Sequence, residues 1–226
     1  MKPEPSLKRL LAANRWYFGA FACALLLGGI LLLFLHKGDE IFFFSGRRSV
    51  PGDLFFKYFT RMGEEPAYFL ALGGLLFLGY RHALAIPFLG LTVSVLSFLS
   101  KAFFAHDRPA AFFKKLGILD QLHLVDGVYL NSGANSFPSG HSMSAFALYT
   151  FLALCLPRKR WAALGLFAMA LLVGLSRIYL AQHFFEDVYL GAIMGVLIAL
   201  MMYYAHYRSQ APWLNRSLLS GRGMAA

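Results

Sequence analysis

The sequence predicts an all-α, polytopic membrane protein with six transmembrane helices, and three observations carry that reading. Hydrophobic residues make up 58% of the 226-residue chain and charged residues 14%, with a mean hydropathy of +0.58, far from a soluble globular average. Uncharged apolar runs of near-spanning length recur at 16–35, 66–80, 83–100, 142–157, 161–176 and 188–205. The basic and chemically active residues gather at the ends of those runs.

Taken in order, residues 1–15 are a basic leader with Lys2, Lys8, Arg9 and Arg15. The run that follows at 16–35 is too long for a signal-peptide core and is followed by no small-residue cleavage site, so it reads as a retained anchor and first transmembrane helix. The runs at 66–80, 142–157 and 161–176 are short, and each reaches spanning length only by taking in polar residues at its ends. Between the first two spans, Leu54, Phe55, Tyr58, Phe59 and Met62 recur at helical spacing with Asp53, Lys57 and Arg61 off that face. This predicts a short interfacial helix over 51–63, guarding lipid access or, more plainly, padding the bundle. Cys23 and Cys155 both lie inside apolar runs, so no disulfide framework or thiolate metal cluster is available.

Orientation follows from the basic residues. With the N-terminus inside, eleven of the 21 lysines and arginines fall on the inner side, mostly in short connections, and three of the outer ten are Lys101, Arg108 and Arg177. Both termini are then cytoplasmic. Every acidic residue except Glu4 falls outside, so the net charge of +10 is an inner excess facing anionic lipid. A nucleic-acid partner is excluded on that ground. The chain divides into a single membrane domain, 1–226, with a core over 50–205 and a cytoplasmic tail over 206–226.

Three clusters lie at run ends: Lys101 with Arg108-Pro109, Pro138-Ser139-Gly140-His141, and Ser176-Arg177 with His183 and Asp187. Six spans put all three on one side, which the inside N-terminus makes external. In the second cluster, a Ser139 N-cap would aim free backbone N–H groups and the positive dipole end of a helix at an anion, although an ordinary helix start reads the same. His183 and Asp187 are four apart and would share a helix face, the carboxylate fixing one imidazole nitrogen and leaving the other to attack. A polar pair at a helix entrance is the plainer alternative. A single basic residue at a span end usually snorkels to head groups, but three converging cations fit phosphate better.

Jointly, the order and spacing resemble the type 2 phosphatidic acid phosphatase family, which includes lipid phosphate phosphatases and shares its site with vanadium-dependent haloperoxidases. Lys101, Arg108 and Pro109 match its first motif, Ser139, Gly140 and His141 its second, and Ser176, Arg177, His183 and Asp187 its third. The resemblance implies two-step phosphoryl transfer: His183 attacks phosphorus, His141 protonates the departing lipid oxygen, and water releases inorganic phosphate. Asp187 would orient His183, and Lys101, Arg108, Arg177 and the backbone at Ser139 and Gly140 would bind the nonbridging oxygens. No metal cofactor is expected, since His106, Asp107 and His123 have no thiol or multi-carboxylate company.

A site at helix ends needs a substrate with its phosphate at the membrane surface and its tail in hydrocarbon. Phosphatidic acid, phosphatidylglycerol phosphate, undecaprenyl diphosphate and a lipid A phosphate present comparable heads. The expected setting is a bacterial inner membrane with the site on the periplasmic or outer face. A lipid-to-lipid phosphotransferase would use the same residues, a haloperoxidase-like protein would need vanadate, and a transporter or lipid-binding protein would not need the His183–Asp187 pair.

Overall fold

Helices are the only regular elements among residues 6–156, 159–208 and 212–219, which the computed structural model describes. In chain order they are α1 (Leu7–Ala13), α2 (Arg15–Phe34), α3 (Asp39–Ser45), α4 (Val50–Phe59), α5 (Glu65–Leu78), α6 (Tyr80–Phe104), α7 (Pro109–Lys115), α8 (Gly140–Cys155), α9 (Arg160–Tyr179) and α10 (Phe185–Arg208). The six apolar runs correspond to α2, α5, α6, α8, α9 and α10. Four stretches are long and apolar enough to cross a membrane: Arg15–Phe34, Tyr80–Lys115, Arg160–Tyr179 and Phe185–Ala205. The other two, α5 with 14 residues and α8 with 16, rise only about 21 and 24 Å, against a hydrocarbon core of roughly 30 Å.

Helix α8 forms the centre of the bundle. Met143, Ala145, Ala147, Leu148 and Phe151 are at most 0% exposed, and side chains of α5, α6, α9 and α10 close around them. Gly191 and Gly195 of α10 make the tightest of these approaches, because a Cβ on Gly191 would stand 2.6 Å from the Ser139 carbonyl oxygen and one on Gly195 would enter the α8 backbone at Met143. This is the small-residue spacing that lets two membrane helices meet backbone to backbone. A hydrogen bond from Ser139 N–H to the Asp187 carbonyl, at 2.9 Å, ties the two helix starts together. Outward-facing side chains are large and apolar, including Leu26, Leu33, Phe69, Phe88, Phe98 and Leu197, all more than half exposed. Such an exterior belongs in hydrocarbon rather than water, and the chain is an integral membrane protein.

The two ends of the bundle differ. One gathers the tight connections: Arg160 lies over the Trp16 ring, Cys155 Sγ meets His82 Nδ1 at 3.4 Å, and Leu218 N–H bonds to the Leu76 carbonyl. The other carries α3, α4, α7 and the loop over 116–139, held by Arg48 donating to the His123 and Tyr179 carbonyls and Lys57 to the Asp126 carbonyl.

The segment over 51–63 is helical as predicted, α4 continuing into a 3-10 turn at Thr60–Gly63, but padding describes only part of it. Phe56, Phe59 and Met62 pack inward, whereas Leu54, Phe55 and Tyr58 are 45–56% exposed. The reason lies in the polar residues, because Asp53 is drawn into the protein by Tyr179 Oη and Arg48, and Lys57 by Asp126. With these polar contacts made on the protein side, part of the apolar face is left exposed.

Candidate active site

The first cluster is built where α6 stops. Ala105 takes a left-handed φ of 47° that ends the helix just beyond Lys101. The chain then turns so that Arg108 comes back under the loop, its N–H bonding to the Gly133 carbonyl. Its guanidinium is fixed by the protein itself: Nε donates to Asn135 Oδ1 at 2.6 Å and Nη1 to the Gln182 carbonyl at 3.2 Å. Lys101 lies against the second cluster, since a Cβ on Gly140 would be 3.4 Å from Lys101 Nζ and 2.8 Å from Ser97 Oγ. Glycine at 140 is what allows the ammonium and the helix start to come together.

That helix start is α8, entered through a cis Phe137–Pro138 peptide. Ser139 is its N-cap, as the sequence predicts, with Oγ accepting from Ser142 N–H and Oγ–H. The N–H groups of Gly140 and His141 belong to the open first turn, where the dipole favours an anion.

The third cluster closes the site from α9 and α10. Arg177 sits in the last turn of α9, 7% exposed, with Nη1 donating to Thr60 Oγ1 at 2.8 Å and Nε buried without a partner among the described residues. The chain then folds over the Arg177 carbonyl, which accepts from the N–H groups of both Gln182 and His183 while Ala181 takes a φ of 51°. One expectation needs correcting here. His183 and Asp187 do not share a helix face, because α10 begins at Phe185 and His183 precedes it in this bend. They meet because Asp187 points back across the helix start, its Oδ2 accepting from Phe184 N–H at 2.9 Å and from His183 Nδ1 at 3.3 Å. The consequence for the imidazole is the same: Nδ1 is engaged and Nε2 remains on the other side of the ring.

His183 is 1% exposed. Burial holds its imidazole well below the usual value of 6.5, and the positive charges of Arg177, Arg108 and Lys101 act in the same direction, with His141 adding to them. Three distant stretches of sequence thus bring their charges to bear on one imidazole, and all of them favour its neutral form.

Four further residues belong to this constellation and were not singled out from the sequence. Ser136 Oγ donates to Asp187 Oδ2 at 2.5 Å. Thr60 and Asn135 hold the two guanidinium groups. Glu64, the N-cap residue of α5, places Oε1 2.9 Å from His141 Nε2. That hydrogen bond is the main reason its carboxyl is held below the usual range, with Arg177 and Arg61 contributing. Only Ser136 carried a positional hint, standing two residues before the Pro138 turn.

Among the described residues no set of three His, Cys, Asp or Glu side chains is placed to hold a metal. His106 packs on Phe137, Asp107 pairs with Lys115, and the His123 backbone anchors Ser45 and Arg48. From His141 and Gly140 a groove of about 470 Å³ runs between α5 and α6 past Tyr68, Val93 and Ile86 to Pro87, with mainly apolar walls and Glu64 and Glu65 at the His141 end.

Residues 79–211 match the family model of the PAP2 superfamily. The chain is 31% identical over 106 residues to a lipid A 4'-phosphatase of Bacteroides thetaiotaomicron, a stretch covering 47% of this chain and 46% of that protein. It is 39% identical over 71 residues to phosphatidylglycerophosphatase B of Bacillus subtilis, covering 28% of this chain and 35% of that one. It thus spans less than half the length of these curated relatives. Among solved structures it resembles Aquifex aeolicus LpxE, with a TM-score of 0.62 and 26% identity over 75% of this chain and 96% of that one. The fold is also that of a phosphatidylglycerolphosphate phosphatase from Bacillus subtilis, with a TM-score of 0.59, 22% identity, and coverage of 86% and 98%. The family match takes in more than half of the chain and all three clusters, and the chain belongs to the PAP2 superfamily.

Proposed function

We propose that the protein hydrolyses a membrane lipid phosphate or diphosphate through a phosphohistidine on His183. The observation that carries this reading is the buried His183 imidazole, hydrogen-bonded to Asp187 through Nδ1 and held toward its neutral form by burial and by the charges of Arg177, Arg108 and Lys101. In the first step Nε2 of His183 attacks phosphorus, a P–N bond forms as the P–O bond to the lipid breaks, and His141 gives its proton to the departing oxygen. Water then attacks the phosphohistidine and gives a proton to His141, and the P–N bond breaks to free inorganic phosphate. The three cations and the N–H groups at the start of α8 stabilise the nonbridging oxygens throughout, the task that dominates phosphoryl transfer.

A lipid substrate is favoured by the apolar groove that leaves the site at His141 and descends along α6. From Ser97 to Ile86 it follows eleven residues, about 16 Å of helix rise, enough for much of an acyl or isoprenoid chain. The phosphatase names of the relatives point the same way.

In the layout we propose, α2, α5, α6, α8, α9 and α10 all cross the bilayer, α5 and α8 with the help of their polar ends. Residues 1–15 and 206–226 are then cytoplasmic, 50–205 form the phosphatase core, and the site lies on the periplasmic or outer face of a bacterial inner membrane. The decisive assay measures inorganic phosphate release in detergent, with chelator present, from phosphatidic acid, phosphatidylglycerol phosphate, undecaprenyl diphosphate and lipid A. Release from at least one of them without any lipid acceptor supports a hydrolase. Release that depends on an added acceptor lipid would make the protein a phosphotransferase.

A further inference from the structure

We propose that Glu64 is the positioning residue of His141, so that each of the two imidazoles has a carboxylate of its own: Asp187 for His183 and Glu64 for His141. This rests on the two-step mechanism above and extends it beyond the three motif clusters, since Glu64 lies outside the family match at 79–211.

The carboxylate stands where a helix N-cap would, yet it caps nothing. Glu64 has extended backbone (φ −114°, ψ −175°) ahead of α5, and its side chain makes no bond to the helix's own N–H groups. It reaches instead to His141, with Oε1 2.9 Å from Nε2. The segment before it is clamped onto the same two helices that carry the site. Thr60 Oγ1 accepts from Arg177, the Met62 carbonyl accepts from Tyr149 Oη at 2.9 Å, and a Cβ on Gly63 would stand 2.7 Å from Val173 and 3.1 Å from the His141 carbonyl oxygen. Glu64 is thus carried on backbone that is locked against α8 and α9.

Such a pair has a defined use. A carboxylate on one imidazole nitrogen fixes the ring and counteracts burial and the Arg177 and Lys101 charges, which disfavour its protonated form, leaving Nδ1 to serve the reaction. In the first step the Nδ1 proton passes to the lipid oxygen as the P–O bond breaks, and His141 becomes neutral. In the second, His141 takes a proton from the attacking water, and Glu64 stabilises the imidazolium that forms. The ring returns to its starting state and no proton is lost.

The test separates this role from that of a surface ion pair. Glu64→Ala and the near-isosteric Glu64→Gln are compared with wild type on phosphatidic acid, whose alkoxide leaving group needs a proton, and on p-nitrophenyl phosphate, whose phenolate does not. Rapid quench follows phenolate release and phosphoenzyme separately. Positioning predicts that Glu64→Ala lowers kcat on phosphatidic acid by about 10- to 100-fold, within the range of general acid catalysis. The phenolate burst would stay within about threefold of wild type and be followed by slow phosphoenzyme breakdown, with Glu64→Gln falling between the two. An equal loss on the burst and on phosphatidic acid, or no loss on either, would overturn it. Wild-type protein that releases phosphate from neither substrate would instead refute the phosphatase reading on which it stands.

Discussion

Ser136 Oγ donates a 2.5 Å hydrogen bond to Asp187 Oδ2, the same oxygen that accepts from Phe184 N–H and from His183 Nδ1. One carboxylate oxygen therefore positions His183, while Oδ1 is buried with no partner among the described residues. Ser136 also lies 3.4 Å from His183 Nδ1, so it bounds the position that ring can take. Removing the hydroxyl leaves a buried carboxylate with one donor fewer. Ser136→Ala should lower the rate of His183 phosphorylation by about 10- to 100-fold, the equivalent of the roughly 1.5–3 kcal/mol that a hydrogen bond to a charged group contributes. A single-turnover measurement that finds the wild-type rate would deny Ser136 this role.

His183→Ala should abolish turnover and phosphate trapping together, because it removes the atom proposed to form the P–N bond. His141→Ala should retain His183 and lose about 10²- to 10⁴-fold on a lipid phosphate. Acid-labile label recovered on wild-type protein and missing from His183→Ala is the result to look for. Near-normal turnover by His183→Ala would rule out the covalent route.

Much of this arrangement was legible in the sequence, for a physical reason. The apolar runs must be helical in hydrocarbon, where no water satisfies the backbone, so their ends are fixed within a few residues. Once Lys101, Ser139 and Arg177 are read as lying at such ends, the expected count of six spans puts them on one side. Ser136, Asn135, Thr60 and Glu64 were not legible, because each acts through a contact 27 to 117 residues away in the chain. The pairing of His183 with Asp187 was anticipated by spacing, although the bend at Ala181 and not a shared helix face produces it.

The close approach of α10 to α8 sets the distance between Ser139 and Asp187 and should be intolerant of even one methyl group. A Cβ on Gly191 would lie 2.6 Å from the Ser139 oxygen and 3.1 Å from Ser142 Cβ, none of it at the end of a flexible side chain. Gly191→Ala should therefore lower the thermal midpoint in detergent and reduce activity, an overpacking cost of about 1–3 kcal/mol. Gly165, in α9, has nothing within 4 Å of its Cβ position. Gly165→Ala should be neutral or stabilising by up to about 1 kcal/mol. Equal midpoints for the two variants would mean that the helices do not meet this closely.

Burial and then the cations Arg177, Arg108 and Lys101 push the His183 imidazole well below 6.5. A base whose folded value is depressed stays neutral as pH falls through its unfolded value, where the unfolded chain takes up the proton first. His183 should thus remain an unprotonated nucleophile at pH 6.5 and above. Its contribution to stability is complete above the unfolded value and declines as pH falls below it. Histidine-selective NMR of the protein in detergent, with His183 assigned by its loss in His183→Ala, should show a neutral ring at pH 6.5. A half-protonated ring at that pH would mean that the cations do not converge on it.

Arg177 provides the sharpest separation of this mechanism from a metal-dependent one. Its Nη1 is held by Thr60, and its Nε is a buried donor with no partner among the described residues, a costly state unless a nonbridging phosphate oxygen accepts from it. Arg108 is oriented the same way, its Nε and Nη2 donating to Asn135 and its Nη1 to the Gln182 carbonyl. Lysine at either position keeps the charge and loses the planar fork, so it cannot satisfy the protein partner and the phosphoryl group together. Arg177→Lys and Arg108→Lys should each lose at least about tenfold in kcat/KM, roughly the 1.4 kcal/mol equivalent of one order of magnitude. Vanadate, which in five-coordinate form mimics the transition state, should inhibit wild type strongly and Arg177→Lys much more weakly. Chelator should leave wild-type phosphate release unchanged. Loss of activity in chelator, recovered on adding a divalent ion, would transfer the role assigned to Lys101, Arg108 and Arg177 to a metal.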